Sequence, residues 1–144
     1  MPSIISYQKA YDATTTYQLT LPDGATELCE IAGMTYIVLP DGAMLPPQAE
    51  QIDASVSVVT LDAALRTAII AASPHCALID ERMHTKIRDV YQLEDELKYA
   101  RIGVGAAMGM YQPTADEVAG MIAFGTHVET VRQWGRDERA KLGL

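Results

Sequence analysis

The sequence predicts an α+β protein: an N-terminal antiparallel β-meander of three to four strands followed by a C-terminal bundle of about four helices. Three observations predict it. Before about residue 45 the chain is rich in β-branched and aromatic residues and alternates polar with apolar. The same five residues, Leu-Pro-Asp-Gly-Ala, close two of these stretches, at 21–25 and 39–43. After Thr60 apolar residues recur three or four positions apart instead. The implied organisation is a β-rich subdomain over residues 1–45, a linker or edge strand over 46–59, and a helical subdomain over 60–144.

The first strand falls at 14–21, with Tyr17, Leu19 and Leu21 on one side and Thr16, Gln18 and Thr20 on the other. Pro22-Asp23-Gly24 ends it. Proline presets φ, aspartate bonds to the local backbone, and glycine takes the left-handed position. A second strand covers about 26–31, Ala32-Gly33 turns the chain, and residues 34–39 form the third strand before Pro40-Asp41-Gly42. Residues 46–53 read as linker, and Ser55 to Val59 as a further edge strand.

A helix over 61–72 has Thr60 as its N-cap, and Ser73-Pro74 ends it and starts the next, serine capping and proline in the first turn. Cys76, Ile79, Met83, Ile87 and Val90 make one stripe on that second helix. The third helix, from Leu93 to about Met110, carries Leu93, Leu97, Ala100, Val104 and Met108 on one face, with Glu94, Glu96, Lys98 and Arg101 elsewhere. Thr114-Ala115-Asp116-Glu117 is a capping-box sequence opening a long final helix through Val118, Met121, Ile122, Gly125, Val128, Val131 and Trp134. The last residues, from Lys141, are expected to fray.

Length suits one compact domain, or one with a small appendage, and 49% apolar against 21% charged residues provides for a core. A net charge of −8, from 19 acidic and 11 basic residues, repels phosphate backbones and anionic lipid, so neither nucleic acid nor membrane is an expected partner. Cys29 and Cys76 are too far apart for a redox or zinc motif and are expected as free, buried thiols.

No constellation of catalytic residues is legible, and the chain is expected to be no enzyme, without cofactor or metal. Gly103-Val104-Gly105 lacks the spacing and the preceding strand of a nucleotide loop, so close packing or a kink explains it better. His75 and Cys76 are helical neighbours that point about 100° apart, too divergent for a nucleophile pair. Glu81 and His84 do have Glu-x-x-His spacing, and with His127 they define the alternative of a small helical metal-binding enzyme. A second Glu-x-x-His is missing, because Phe124 precedes His127 at that interval. Tyr17, Tyr36, Trp134 and Arg136 are the residues expected at a protein-partner surface, by the preference of interfaces for Tyr, Trp and Arg.

Three segments carry a resemblance. Ser73-Pro74-His75, the run from Ile87 through Tyr91-Gln92-Leu93-Glu94-Asp95-Glu96 to Leu97, and the terminal Val131-Arg132-Gln133-Trp134-Gly135-Arg136 with the Ala-Lys-Leu-Gly that follows resemble small proteins of bacteriophage and prophage tail modules, in particular the tail-fibre assembly, chaperone-like group. The resemblance implies a β-rich head and helical tail, a non-enzymatic role in assembling or binding a tail fibre or other tail component, and synthesis in the cytoplasm of a bacterial host with incorporation in a virion left open. A small sheet that is marginal alone, together with apolar helical seams, further predicts a homo-oligomer, most simply a dimer.

Overall fold

The computed structural model describes residues 1–144. In chain order the elements are β1 (Ser3–Gln8), β2 (Thr26–Ile31), β3 (Met34–Leu39), α1 (Glu50–Asp53), β4 (Ser57–Val58), α2 (Ala63–Ala72), α3 (Pro74–Arg88), α4 (Leu93–Ala107) and α5 (Ala115–Lys141). The class is the predicted one, a four-stranded antiparallel sheet followed by helices. The chain divides into two compact units, one of Met1–Leu78 with Glu138–Leu144 and the other of Ile79–Asp137. Residues 61–78, helical in sequence, thus belong with the sheet: α2 lies against β2 instead of joining a helical bundle.

The sheet is not a meander. Its order is β2-β3-β1-β4, with β1 inserted between β3 and β4. Strand β1 escapes a reading based on alternation because it is central: Ile4, Ile5, Ser6 and Tyr7 are all buried, so both faces are covered and no polar side remains. Residues 14–21 correct the opposite way. They form no strand beyond an isolated bridge between Ala10 and Thr16. Their alternation is nonetheless physical, since Tyr17, Leu19 and Leu21 pack on the sheet. The backbone of Thr20 finds its partner in a side chain: Gln48 accepts from the Thr20 N–H at 2.9 Å and donates to its carbonyl at 2.8 Å.

Ile5, Tyr7, Ile37 and Leu39 form one face of the sheet, covered by Leu19 and Ile52. Ile52 comes from α1, a single helical turn in a stretch read as linker. On the other face Ile4, Leu28, Cys29 and Val38 meet Ile69 of α2. A bulge between Glu27 and Cys29 lets the consecutive residues Leu28 and Cys29 enter the same cluster. The expected edge strand is present as β4, antiparallel to β1.

Both Leu-Pro-Asp-Gly-Ala segments are turns. Gly24 and Gly42 have φ of 80° and 72°, and the amides of Ala25 and Ala43 donate to the carbonyls of Pro22 and Pro40. Between β2 and β3, Ala32 and Gly33 both take positive φ, 50° and 81°, as a two-residue hairpin requires. Alanine is a poor occupant of that conformation, and asparagine a good one. Ala32→Asn is therefore expected to stabilise the β unit by about 0.5–1 kcal/mol, read as a raised urea midpoint with unchanged slope.

Asp62, rather than Thr60, caps α2, accepting from the Leu65 amide at 2.7 Å. Ser73 does end α2, but its hydroxyl is buried without a partner, so only its carbonyl takes part in opening α3. The C-terminus does not fray. Leu144 N–H donates to Arg139 O and Gly143 N–H to Ala140 O, with Gly143 at φ 74°, and Leu142 and Leu144 are packed against the Ile4, Leu28 and Val38 cluster.

In the helical unit α4 stops at Ala107 rather than near Met110. Gly109 takes φ 68°, and the amides of Met110 and Tyr111 turn back to Gly105 O. A Cβ on Gly105 would lie 3.1 Å from Tyr111 Cβ, so this glycine serves close packing. The capping box of α5 forms as read: Glu117 N–H donates to Thr114 Oγ1, whose hydroxyl donates to Glu117 Oε1. Tyr111 Oη donates to the same carboxylate at 2.8 Å, and these bonds, that from Tyr111 foremost, hold Glu117 below the usual carboxylate range. Tyr91, Tyr99 and Phe124 form the aromatic centre, with Tyr99 and Phe124 stacked at 5.7 Å.

Candidate functional site

In the β unit a short loop builds a cleft. Asp12 accepts from the amides of Thr14 and Thr15 at 2.8 and 2.7 Å, and these bonds, Thr14's first, keep its carboxyl below the usual range. The Tyr11 amide donates to Thr15 O and the Tyr17 amide to Lys9 O, so the loop is closed by backbone bonds at both ends. That closure sets the rings of Tyr11 and Tyr17 edge to face, 5.8 Å apart. Together with Gln8, Ala10, Gln51 and Ser55 they line a depression of about 200 Å³. Tyr11 is well exposed, whereas Tyr17 is half-buried and packs against the cluster on this face of the sheet. Rigid aromatic surface beside amide and hydroxyl groups is a composition suited to gripping a polypeptide.

The structure does not gather the four residues expected at a partner surface. Tyr17 belongs to one face of the sheet and Tyr36 to the other, where it packs with the α2 cluster. Trp134 and Arg136 belong to the helical unit. Trp134 is half-buried with the Lys86 ammonium 4.8 Å from its ring centre, and Arg136 is exposed, donating to Glu129 and Gln133. Sequence reasoning missed Tyr11. Its signal was the Asp-x-Thr that follows, an Asx-turn pattern that fixes the loop.

Glu81, His84 and His127 are not assembled into a ligand set. No three His, Cys, Asp or Glu side chains lie close enough together to share an ion. His127 Nε2 faces Lys86 O at 3.1 Å, and a carbonyl can only accept, so the ring donates there. His84 instead opens on a depression of about 440 Å³ in the helical unit, with Asp80, Arg88, Glu96 and Arg132. Its charges are mixed in sign, and Arg88 is engaged with Glu96 at 2.7 Å. His75 Nε2 lies 3.1 Å from Glu27 O, while Cys76 points into the core. Both thiols are free and buried, and burial, then the neighbouring Cys76, pushes the Cys29 thiol up.

A second surface lies on α4. The apolar face carrying Leu93, Leu97, Ala100, Val104 and Met108 is exposed, from 45% at Leu97 to 67% at Met108. The side packed within the unit is the opposite, half-buried one, where Tyr99 stacks on Phe124 and its ring lies over Gly120. Leu97, Ala100, Val104, Met108 and Met110 surround an open apolar depression of about 410 Å³. No helix is long and apolar enough to cross a membrane. No protein-family model, curated protein or solved structure matches this chain.

Proposed function

We propose that this chain is a non-enzymatic, tail-associated protein of a phage or prophage that holds a tail fibre or another tail component through the Tyr11–Tyr17 cleft. The observation that carries the binding role is the cleft itself: an exposed tyrosine, braced by a second one, among Gln8, Gln51 and Ser55 on a loop closed by its own hydrogen bonds. A pre-ordered loop loses little conformational entropy on binding, which favours a specific polypeptide contact. The resemblance of residues 73–75, 87–97 and 131–144 to tail-fibre assembly proteins supplies the tail context. On this reading the chain is made in the cytoplasm of the bacterial host. It acts either as a transient assembly factor or as a component of the particle, two forms that its presence in purified particles would separate.

The test is calorimetric titration of a tail-fibre polypeptide, co-expressed with the chain and then separated from it. Binding is expected, weakened roughly tenfold or more by Tyr11→Ala, while the far-ultraviolet spectrum of the variant stays unchanged. Binding that Tyr11→Ala leaves intact would remove the cleft from the site. A tail polypeptide that neither binds nor gains soluble yield on co-expression would overturn the tail role.

A further inference from the structure

The helical unit is short of core. Ile79 and Val131 are its only buried large hydrophobics, whereas Leu93, Leu97, Val104 and Met108 of the α4 stripe stand in solvent. An uninterrupted apolar stripe along a whole helix is costly in water and marks a surface that another polypeptide covers. The flanks of the stripe say which one.

Glu94 and Arg101 occupy the same flank, one heptad apart, and neither makes an ion pair within the chain. On the other flank Glu96 is already held by Arg88. When two identical helices pair antiparallel, equivalent flanks face each other with their directions reversed, so the acidic end of one meets the basic end of the other. A parallel pair would instead set the Arg101 flank against the Glu96 flank, where the carboxylate is engaged. We propose that α4 pairs two copies of this chain antiparallel about a two-fold axis, with Glu94 of each copy meeting Arg101 of the other. The same register seats Leu97 opposite Ala100 and Leu93 opposite Val104, large against small, and self-complementarity of this kind is what an isologous interface requires. The pairing goes beyond tail binding and needs no tail component.

Sedimentation velocity of the full chain, with circular dichroism confirming the fold of each variant, tests it. Wild type is expected to be dimeric at about 100 µM, a range in which weak specific contacts are populated. Glu94→Arg alone and Arg101→Glu alone each set like charges opposite one another and should weaken the dimer roughly tenfold. In an equimolar mixture of the two single variants, one chain presents arginine at both positions and the other presents glutamate at both. The mixture should therefore form a heterodimer tighter than either homodimer, an outcome that no parallel arrangement of these flanks gives. Dimers indifferent to both charge changes, or a mixture no tighter than its parts, overturn the antiparallel α4 pairing while leaving a homo-oligomer of another kind. A monomer at every concentration assigns the stripe to a different polypeptide and overturns the inference outright. Either failure leaves the Tyr11 titration with tail polypeptide unaffected.

Discussion

Ile37→Ala is expected to cost about 3–4 kcal/mol, the middle of the range for truncating a buried isoleucine. Ile37 is 1% exposed at the middle of β3, itself an inner strand of the sheet. Its backbone is held in register on both sides, opposite Ile5 of β1 and Glu27 of β2, so the strand cannot sink to fill the space left behind. Leu19 and Ile52, which cover it, come from a Gln48-clamped segment and a single helical turn, neither free to move far inward. Val58→Ala provides the comparison. Val58 is 78% exposed on the edge strand β4, and its truncation should stay within about 0.5 kcal/mol. Urea unfolding of the two variants measures this; equal losses would show that the β unit is not held together by the cluster around Ile37.

The second large effect separates two chemically identical substitutions on one helix. Gly125→Ala should stabilise α5 by about 1 kcal/mol, because nothing lies within 4 Å of the added methyl group and alanine is the better helix former. Gly120→Ala should destabilise. There the methyl carbon would stand 2.8 Å from Cε1 and Oη of Tyr99, and the ring can give way only by breaking its packing against Phe124 and Tyr91. Overpacking of about 2 kcal/mol then outweighs the gain in propensity and leaves a net loss of about 1 kcal/mol. Thermal unfolding should move in opposite directions for the two variants. A Gly120→Ala protein as stable as Gly125→Ala would mean that Tyr99 is not seated on α5 as described.

Legibility in the sequence followed the range of the interactions involved. Strands β2 and β3, the two Pro-Asp-Gly turns, the Ala32-Gly33 hairpin and the Thr114–Glu117 capping box were readable because each depends on residues only a few positions apart. Strand β1 was not, since its burial comes from Leu19 and Ile52 on one face of the sheet and Ile69 of α2 on the other, which removes the polar alternation that marks a strand. The cleft was half legible. Tyr17 could be picked out as an aromatic in a β-rich stretch, while Tyr11 joins it only through the Asp12 turn and the bridge from Ala10 to Thr16.

By itself the sequence determined the class of fold, the position of its turns, the Thr114–Glu117 capping box, and the presence of an apolar stripe on α4. Tertiary structure alone decided which way that stripe faces. Leu93, Leu97, Ala100 and Val104 have the spacing of a core face, and nothing in α4 ranks them below Tyr99 and Ile102 on the opposite side. The choice is made on another helix: Gly120 leaves a notch that takes the Tyr99 ring, and Phe124 stacks upon it. Hydrophobic periodicity is a property of one helix, whereas burial depends on the shape of what meets it, and so the stripe that periodicity marks is the surface on which the pairing of two chains is proposed.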